Sequence, residues 1–216
     1  MLKIIFFLPL LLICSNLPLA RAQAPDPFLL IKRGDLEGLR QVLAKDVSLI
    51  EKTGEDEKSL LMEGALRGDP KVVEFLLKKS NSMIDRKDKK NHTALYFAIS
   101  NSQEKTALLL IEKQADLTFL FDGPQSSILH MAARSGMVKV IESLARKSEK
   151  LVNQPNALGE TPLFEAVRFS QVKAAQSLLA LGADRNFRDK KGKSVLDLID
   201  PQLDKKMYRL FRTRDN

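Results

Sequence analysis

A repeat of 34 residues is the feature of this sequence that most restricts its fold. In one column a Ser or Thr stands two residues before a Leu, at successive spacings of 34, 34, 34 and 33 residues. The column consists of Ser59, Thr93, Ser127, Thr161 and Ser194. A second column with the same period consists of Gly34, Gly68, Ser102, Gly136 and Ser170. A period of this length predicts a solenoid, because one such unit is too small to bury its own apolar face and stacks on its neighbours.

The pattern inside each unit predicts two short antiparallel helices. The Ser/Thr hydroxyl can accept a hydrogen bond from the first turn of a helix, and Pro162 after Thr161 suits a position whose N–H has no partner inside the helix. The glycine column predicts the end of this first helix, since glycine enters the left-handed conformation without strain. Apolar residues at helical spacing, such as Val72, Val73 and Leu76, predict the second helix. The expected fold class is therefore all-α.

Residues 1–22 have the pattern of a secretory leader. They contain Lys3, an apolar run over 4–13 and a small-x-small ending, which predicts cleavage between Ala22 and Gln23. The run of about ten residues is shorter than the roughly 20 that a membrane-spanning helix needs. A removable export leader is therefore expected rather than an anchor. The remaining chain would carry 33 Lys and Arg against 27 Asp and Glu, a formal charge of +6.

The composition argues against most kinds of catalytic, metal-binding and base-stacking site. Cys14 is the single cysteine and lies in the predicted leader, and the chain has two histidines, two tyrosines and no tryptophan. This leaves no disulfide framework and little material for a metal site or a base-stacking platform. The local signatures of zinc hydrolases, serine hydrolases, dinucleotide-binding enzymes and P-loop proteins are also lacking. We therefore expect a protein that is not an enzyme and holds no cofactor and no metal.

Two segments carry a resemblance to a known family. Residues 159–166, Gly-Glu-Thr-Pro-Leu-Phe-Glu-Ala, and residues 127–136, Ser-Ile-Leu-His-Met-Ala-Ala-Arg-Ser-Gly, are similar to ankyrin repeats. The resemblance implies stacked helix-turn-helix units with β-turn fingers. It places an N-terminal capping repeat at 23–53, four repeats at 54–188 and a C-terminal capping repeat at 189–216. His130 matches the histidine with which the family ties adjacent turns together.

The resemblance also implies a protein-binding surface formed by the fingers and the exposed face of each first helix. Transferred by position, the candidate partner-binding residues are Arg33, Arg67, Lys89, Lys90, His92, Asn101, Phe119, Phe121, Arg134, Leu158, Glu160, Arg168 and Phe169. The four arginines follow one another at spacings of 34, 67 and 34 residues. Such a row of cations is expected either to attract an acidic partner or to be an ordinary solvated face.

The aromatic candidates leave alternatives open. Phe119 and Phe121 lie in a finger, where they either anchor a partner or fold back into the core. Phe169 is expected on the inner face of the stack, and His92 at a solvent-exposed fingertip.

The fold and the leader together favour an exported, periplasmic ankyrin-repeat protein that is monomeric when unbound and binds another protein. In size and layout it resembles the self-protection proteins of predatory bacteria, which block peptidoglycan endopeptidases. The leading hypothesis is an inhibitor or immunity protein of an envelope enzyme. Support of a periplasmic catalase and an effector that binds a host protein are the alternatives. Nucleic-acid binding and stable membrane insertion are not expected.

Overall fold

The computed structural model describes residues 25–121 and 125–212. Of the eleven α-helices in these residues, ten form two stacked rows. The inner row consists of α1 (Pro27–Arg33), α3 (Leu60–Arg67), α5 (Ala94–Ser100), α7 (Ile128–Arg134) and α9 (Pro162–Arg168). The outer row consists of α2 (Leu36–Lys45), α4 (Pro70–Lys79), α6 (Glu104–Glu112), α8 (Val138–Lys147) and α10 (Val172–Ala180). A last helix, α11 (Lys205–Arg212), follows them. This confirms the all-α solenoid. The predicted leader over 1–22 lies outside the described residues, and the boundaries of the capping repeats stay predictions.

Four of the five predicted inner helices begin where the Ser/Thr column places them. The Ser59 hydroxyl accepts a hydrogen bond from the Met62 N–H at 3.2 Å, and the Thr93 hydroxyl accepts one from the Tyr96 N–H at 3.3 Å. Thr161 differs, because its buried hydroxyl has no hydrogen-bond partner among the described residues. The start at Pro162 rests instead on the proline ring, whose φ is already helical. Ser194 begins only a short 3-10 helix, Val195–Leu198, which corrects the expected fifth α-helix.

The second column marks the ends of the inner helices, as predicted. Gly34, Gly68 and Gly136 take left-handed φ values of 73°, 73° and 68°. Ser102 and Ser170 adopt the same conformation, with φ of 56° and 52°. A side chain makes this conformation costly, so these two positions store strain that glycine relieves at the other three.

Apolar residues of the inner helices form one continuous core along the stack. The Leu two residues after each Ser/Thr is fully or almost fully buried in four consecutive units: Leu61, Leu95, Leu129 and Leu163. Small residues five positions after the Ser/Thr, such as Ala98, Ala132 and Ala166, are 0% exposed. Because these side chains are short, consecutive inner helices approach closely, and α1, α3, α5, α7 and α9 contact one another in that order.

Hairpin fingers project between the helix pairs. In four of them an N–H donates to the carbonyl oxygen four residues later, over 54–58, 88–92, 156–160 and 189–193, at 2.9 to 3.0 Å. The remaining finger contains strands β1 (Leu120–Phe121) and β2 (Ser126–Ser127), paired antiparallel. Neighbouring fingers are also joined, since the Lys89 N–H donates to the Asp56 carbonyl oxygen at 2.9 Å and the Lys190 N–H to that of Leu158 at 3.0 Å. These bonds join the first finger to the second and the fourth finger to the fifth.

Short 3-10 helices complete the connections. They are Val47–Glu51, Glu55–Glu57, Asn81–Met83 and Glu149–Leu151. At the C-terminal end, α11 packs against α10 and buries Met207 and Phe211. None of the helices within 25–121 and 125–212 has the length and apolar character of a membrane span.

Candidate protein-binding groove

A groove runs along the angle between the fingers and the inner helices, and we call it the inner groove. It contains three successive recesses. The N-terminal recess, about 270 Å³, is lined by residues that include Phe28, Lys32 and Lys58. The central recess, about 220 Å³, also has Lys58 in its wall and continues to Tyr96 and Ser100. Tyr96 and Ser100 line the third recess as well, so the groove is continuous from α1 to α9.

The third recess is the largest of the three, about 440 Å³. We call it the Arg134 recess, and it is lined by Tyr96, Ser100, Met131, Arg134, Ser135 and Phe169. The Cζ of Arg134 lies 4.3 Å from the centroid of the Phe169 ring, and that phenylalanine remains 40% exposed. Arginine held over an aromatic ring keeps its N–H donors available at the rim of the guanidinium plane. The sequence placed Phe169 and Arg134 on this face, and the structure brings them into contact.

The central recess has a more mixed character. The His92 ring stacks on Tyr96 with centroids 3.8 Å apart, and its Nδ1 lies 3.3 Å from Oδ2 of Asp88. The His92 side chain is only 13% exposed, which corrects the expectation of a solvent-exposed fingertip. Lys90 is exposed, and it lines the same recess as Asp56. Cations and carboxylates therefore alternate along this part of the groove.

Arg168 is held in a clasp by two carboxylates, although its side chain is still 36% exposed. Its guanidinium is ion-paired with the carboxylates of Glu160 and Glu165, the latter at 2.6 Å. The hydrogen bond to Glu160 raises the pKa of Arg168. Burial raises the pKa of Glu165, although Arg168 and Arg134 lie near enough to oppose the shift. Glu160 itself is 6% exposed, so in the Glu160–Arg168 pair only the arginine reaches solvent.

The four predicted arginines therefore do not form a single row along the inner helices. The interval from Arg67 to Arg134 is 67 residues, one short of two repeats, and one residue turns a helix by about 100°. Arg33 and Arg67 are exposed and line none of the three recesses, whereas Arg134 does. With Arg168 clasped, Arg134 is the member of the set whose charge faces the groove.

For the aromatic finger, the structure distinguishes the two alternatives that the sequence left open. In β1 the side chains alternate, so Phe121 is 6% exposed while Leu120 is 40% exposed. The Phe121 ring packs 4.8 Å from Tyr96 and 5.2 Å from Phe119. Phe119 is half-buried, and Lys87 Nζ lies 4.0 Å from its centroid. Phe121 thus belongs to the core, and Leu120 is the outward residue of this finger.

The remaining predicted residues are accessible. Lys89, Asn101 and Leu158 are exposed, Leu158 at 50%. Asn101 lines the central recess, whereas Lys89 and Leu158 lie on fingers. Their role in binding stays a prediction.

Tyr96 and Met131 line the inner groove but were not among the sequence candidates. A signal exists for Tyr96, because it stands 34 residues before the motif histidine His130, where an aromatic ring departs from the motif. Met131 gives no comparable signal, since an apolar helix residue is ordinarily part of a core.

His130 has the structural role that the resemblance implied. It is 1% exposed, and its Nδ1 accepts a hydrogen bond from the Ser127 N–H at 3.1 Å. Its Nε2 lies 2.8 Å from the Glu160 carbonyl oxygen in the next finger. This pattern requires a neutral ring with the proton on Nε2. Burial lowers the pKa of His130, which keeps that form.

Formal charge is distributed unevenly along the stack. Residues 25–121 contain 16 Lys and Arg and 16 Asp and Glu, whereas residues 125–212 contain 16 Lys and Arg and only 9 Asp and Glu. The two parts therefore carry formal charges of 0 and +7. In the part of the chain that the structure describes, no three His, Cys, Asp or Glu side chains come together as a metal site would need. The excess of positive charge therefore lies in residues 125–212.

The 34-residue repeat, the paired helices and the fingers are the features of a known protein family, and a family model matches this chain. The family model for ankyrin repeats, three copies, matches residues 28–120 and 119–189. The chain belongs to the ankyrin-repeat family. The predicted resemblance is thereby confirmed.

This ankyrin-repeat protein is similar in structure to a chain of a solved complex described as the predatory endopeptidase Bd0816 from Bdellovibrio bacteriovorus with the immunity protein Bd3460. The TM-score is 0.76 at 27% identity, and the match covers 88% of this chain and 98% of the other. The similarity in fold thus extends over nearly the full length of the other chain.

Curated relatives match over longer proteins. The phosphocholine transferase AnkX of Legionella pneumophila is 31% identical over 172 residues, 76% of this chain and 17% of that protein. A transient receptor potential cation channel homolog of Caenorhabditis elegans is 25% identical over 195 residues, 90% of this chain and 16% of that protein. This ankyrin-repeat protein thus spans less than a fifth of these relatives.

Proposed function

We propose that this protein is an exported, non-catalytic inhibitor that binds a peptidoglycan endopeptidase of its own cell envelope and thereby protects the producer's wall. The observation that carries the proposal is the near full-length structural similarity to a chain from the complex of an endopeptidase with its immunity protein. The inner groove gives this role a surface. Its three recesses extend over five inner helices, which suits contact with a large folded partner better than with a small molecule.

The proposed mechanism is steric occlusion. The fingers and inner helices present side chains rather than a reactive pair of groups, and the Arg134 recess supplies an exposed aromatic and a cation at its centre. Aromatic and arginine side chains carry much of the binding energy at protein interfaces. A rigid stack that covers the mouth of an enzyme's cleft excludes the peptidoglycan strand without any chemistry of its own.

The proposed subcellular location is the periplasm. The leader pattern over 1–22 supports it, together with a chain that has no cysteine after Cys14. The mature protein isolated from the envelope is expected to begin at Gln23, as read by mass spectrometry of its N-terminus.

The decisive experiment uses the purified mature chain and each peptidoglycan endopeptidase of the same genome. Wall peptide cross-links cut per minute are measured while the chain is added in steps. One of the enzymes is expected to lose activity in proportion to the chain added, with a break near equimolar concentrations, and to elute with it as one complex.

A wall amidase of the same organism is the control, since it cuts a different bond in a differently shaped cleft and should keep its activity. If none of the genome's endopeptidases forms a complex with the chain or is inhibited by it, the proposed function is wrong.

A further inference from the structure

The Arg134 recess combines one cation with apolar walls. Arg134 is the single charged residue in its lining, beside Phe169, Met131 and Tyr96. Within residues 25–121 and 125–212, no carboxylate oxygen lies within ion-pair distance of Arg134. Glu165, whose pKa Arg134 acts to lower, is already ion-paired with Arg168. The recess therefore offers a cation together with exposed apolar surface.

The neighbouring parts of the groove differ in this respect. In the central recess Lys58 and Lys90 are accompanied by Asp56 and Asp88. An incoming carboxylate would be repelled there as well as attracted. The lining of the Arg134 recess holds the cation and no carboxylate, so an incoming carboxylate is attracted there.

The dimensions also suit a side chain. A volume of about 440 Å³ exceeds the ~30 Å³ share of one water molecule many times over. The Ser135 hydroxyl in the wall can donate a hydrogen bond to an acidic group beside Arg134.

We propose that the Arg134 recess is the anchoring subsite of the inner groove, and that it receives a large apolar side chain next to an Asp or Glu on a projecting loop of the partner protein. This rests on the proposed function, because it specifies the partner's contact within the same groove. The apolar side chain packs against Phe169 and Met131, and the adjacent carboxylate pairs with Arg134.

The test uses short peptides in place of the partner, with no endopeptidase present. Four peptides with identical Gly-Ser flanks carry a central Phe-Asp, Phe-Lys, Ala-Asp or Ala-Ala pair. Binding is followed through isotope-labelled methionine methyl groups by NMR, because Met131 lies in the recess wall. Its signal is assigned with Met131→Leu. The Phe-Asp peptide is expected to shift the Met131 signal saturably, and the other three at least about tenfold more weakly.

Two variants locate the contact. Arg134→Gln is expected to weaken the Phe-Asp peptide about tenfold or more, and so is Phe169→Ser, which installs the residue that Ser135 provides one repeat earlier. Arg146→Gln removes an exposed arginine from the outer helix α8 and should leave binding unchanged. The proposal is overturned if Phe-Asp leaves Met131 unmoved, if Phe-Lys or Ala-Asp binds as well, or if Arg134→Gln binds like the wild type.

The outcome separates this subsite from the proposed function. Inhibition of an endopeptidase that is equally strong with Arg134→Gln refutes the subsite and leaves the inhibitor function intact. Selective binding of the Phe-Asp peptide without inhibition of any endopeptidase refutes the function and leaves the subsite intact.

Discussion

Individual side chains tie one repeat to the next. Asn153 donates from its Nδ2 to the Gly182 carbonyl oxygen and accepts at its Oδ1 from the Asp184 N–H, both at 2.8 Å. His130 makes a comparable link on the inner side through its two ring nitrogens. Each of these residues links its own repeat to the next. Loss of the buried His130 also leaves the Ser127 N–H and the Glu160 carbonyl oxygen without this partner.

The link through His130 predicts a pH dependence of stability. Burial lowers the pKa of His130 in the folded chain, whereas an unfolded chain keeps a value near 6.5. The unfolded state therefore binds more protons, and the free energy of unfolding falls as the pH drops below about 6.5. His130→Met is expected to show a smaller difference in unfolding free energy between pH 7.5 and 5.5, measured by urea titration.

Methionine is the matched replacement, because Met62 occupies the equivalent position and its sulfur accepts the Ser59 N–H at 3.3 Å. The wild type and His130→Met share every other titratable group. The difference between their pH dependences of unfolding free energy therefore comes from the His130 imidazole. Equal pH dependence in both chains would contradict the assignment.

The ends of the inner helices differ in strain from one repeat to the next. Gly34, Gly68 and Gly136 end their helices in the left-handed conformation, and Ser102 and Ser170 adopt it with a side chain. The helix end therefore has the same left-handed conformation in every repeat, but this conformation costs more free energy where the residue is serine than where it is glycine. Two repeats depend on their packing to hold a conformation that their own residue disfavours.

Ser170→Gly is expected to raise the free energy of unfolding by about 0.5–1 kcal/mol, the relief of left-handed strain less the extra entropy of glycine. Thermal unfolding followed by circular dichroism measures it. The reverse change, Gly34→Ser, should destabilise by a similar amount, since a Cβ there meets no atom within 4 Å and only the backbone is strained. A stabilising Gly34→Ser would show that strain is not the cause.

The molecule as a whole is a linear array whose ends need covering. Inner and outer helices contact their successors, and α11 closes the C-terminal end by burying Met207 and Phe211. Because contacts connect mainly adjacent repeats, stability is expected to be lost locally when one end is uncovered. The charge asymmetry is also a property of the whole array, since residues 25–121 carry a formal charge of 0 and residues 125–212 one of +7.

A chain that ends at Asp204 lacks α11 and tests this arrangement. It is expected to lose roughly 3–5 kcal/mol at the C-terminal end, about the value of burying one Met and one Phe side chain. Hydrogen exchange should then accelerate in α9 and α10 but not in α1 to α4. A chain that ends at Arg212 is the control and should behave like the wild type. Unchanged protection of α10 in the shorter chain would contradict a covering role for α11.

The sequence alone determined the repeat length, the two-helix unit and the family, because helix periodicity, capping residues and glycines act through local physics that recurs every 34 residues. It also placed Arg134 and Phe169 on the inner face. Only the tertiary structure revealed that Arg168 is clasped by Glu160 and Glu165 and that Phe121 is core. Burial and ion pairing of these residues depend on which side chains come into contact between neighbouring repeats and fingers. The position of a residue within the 34-residue repeat does not specify those contacts.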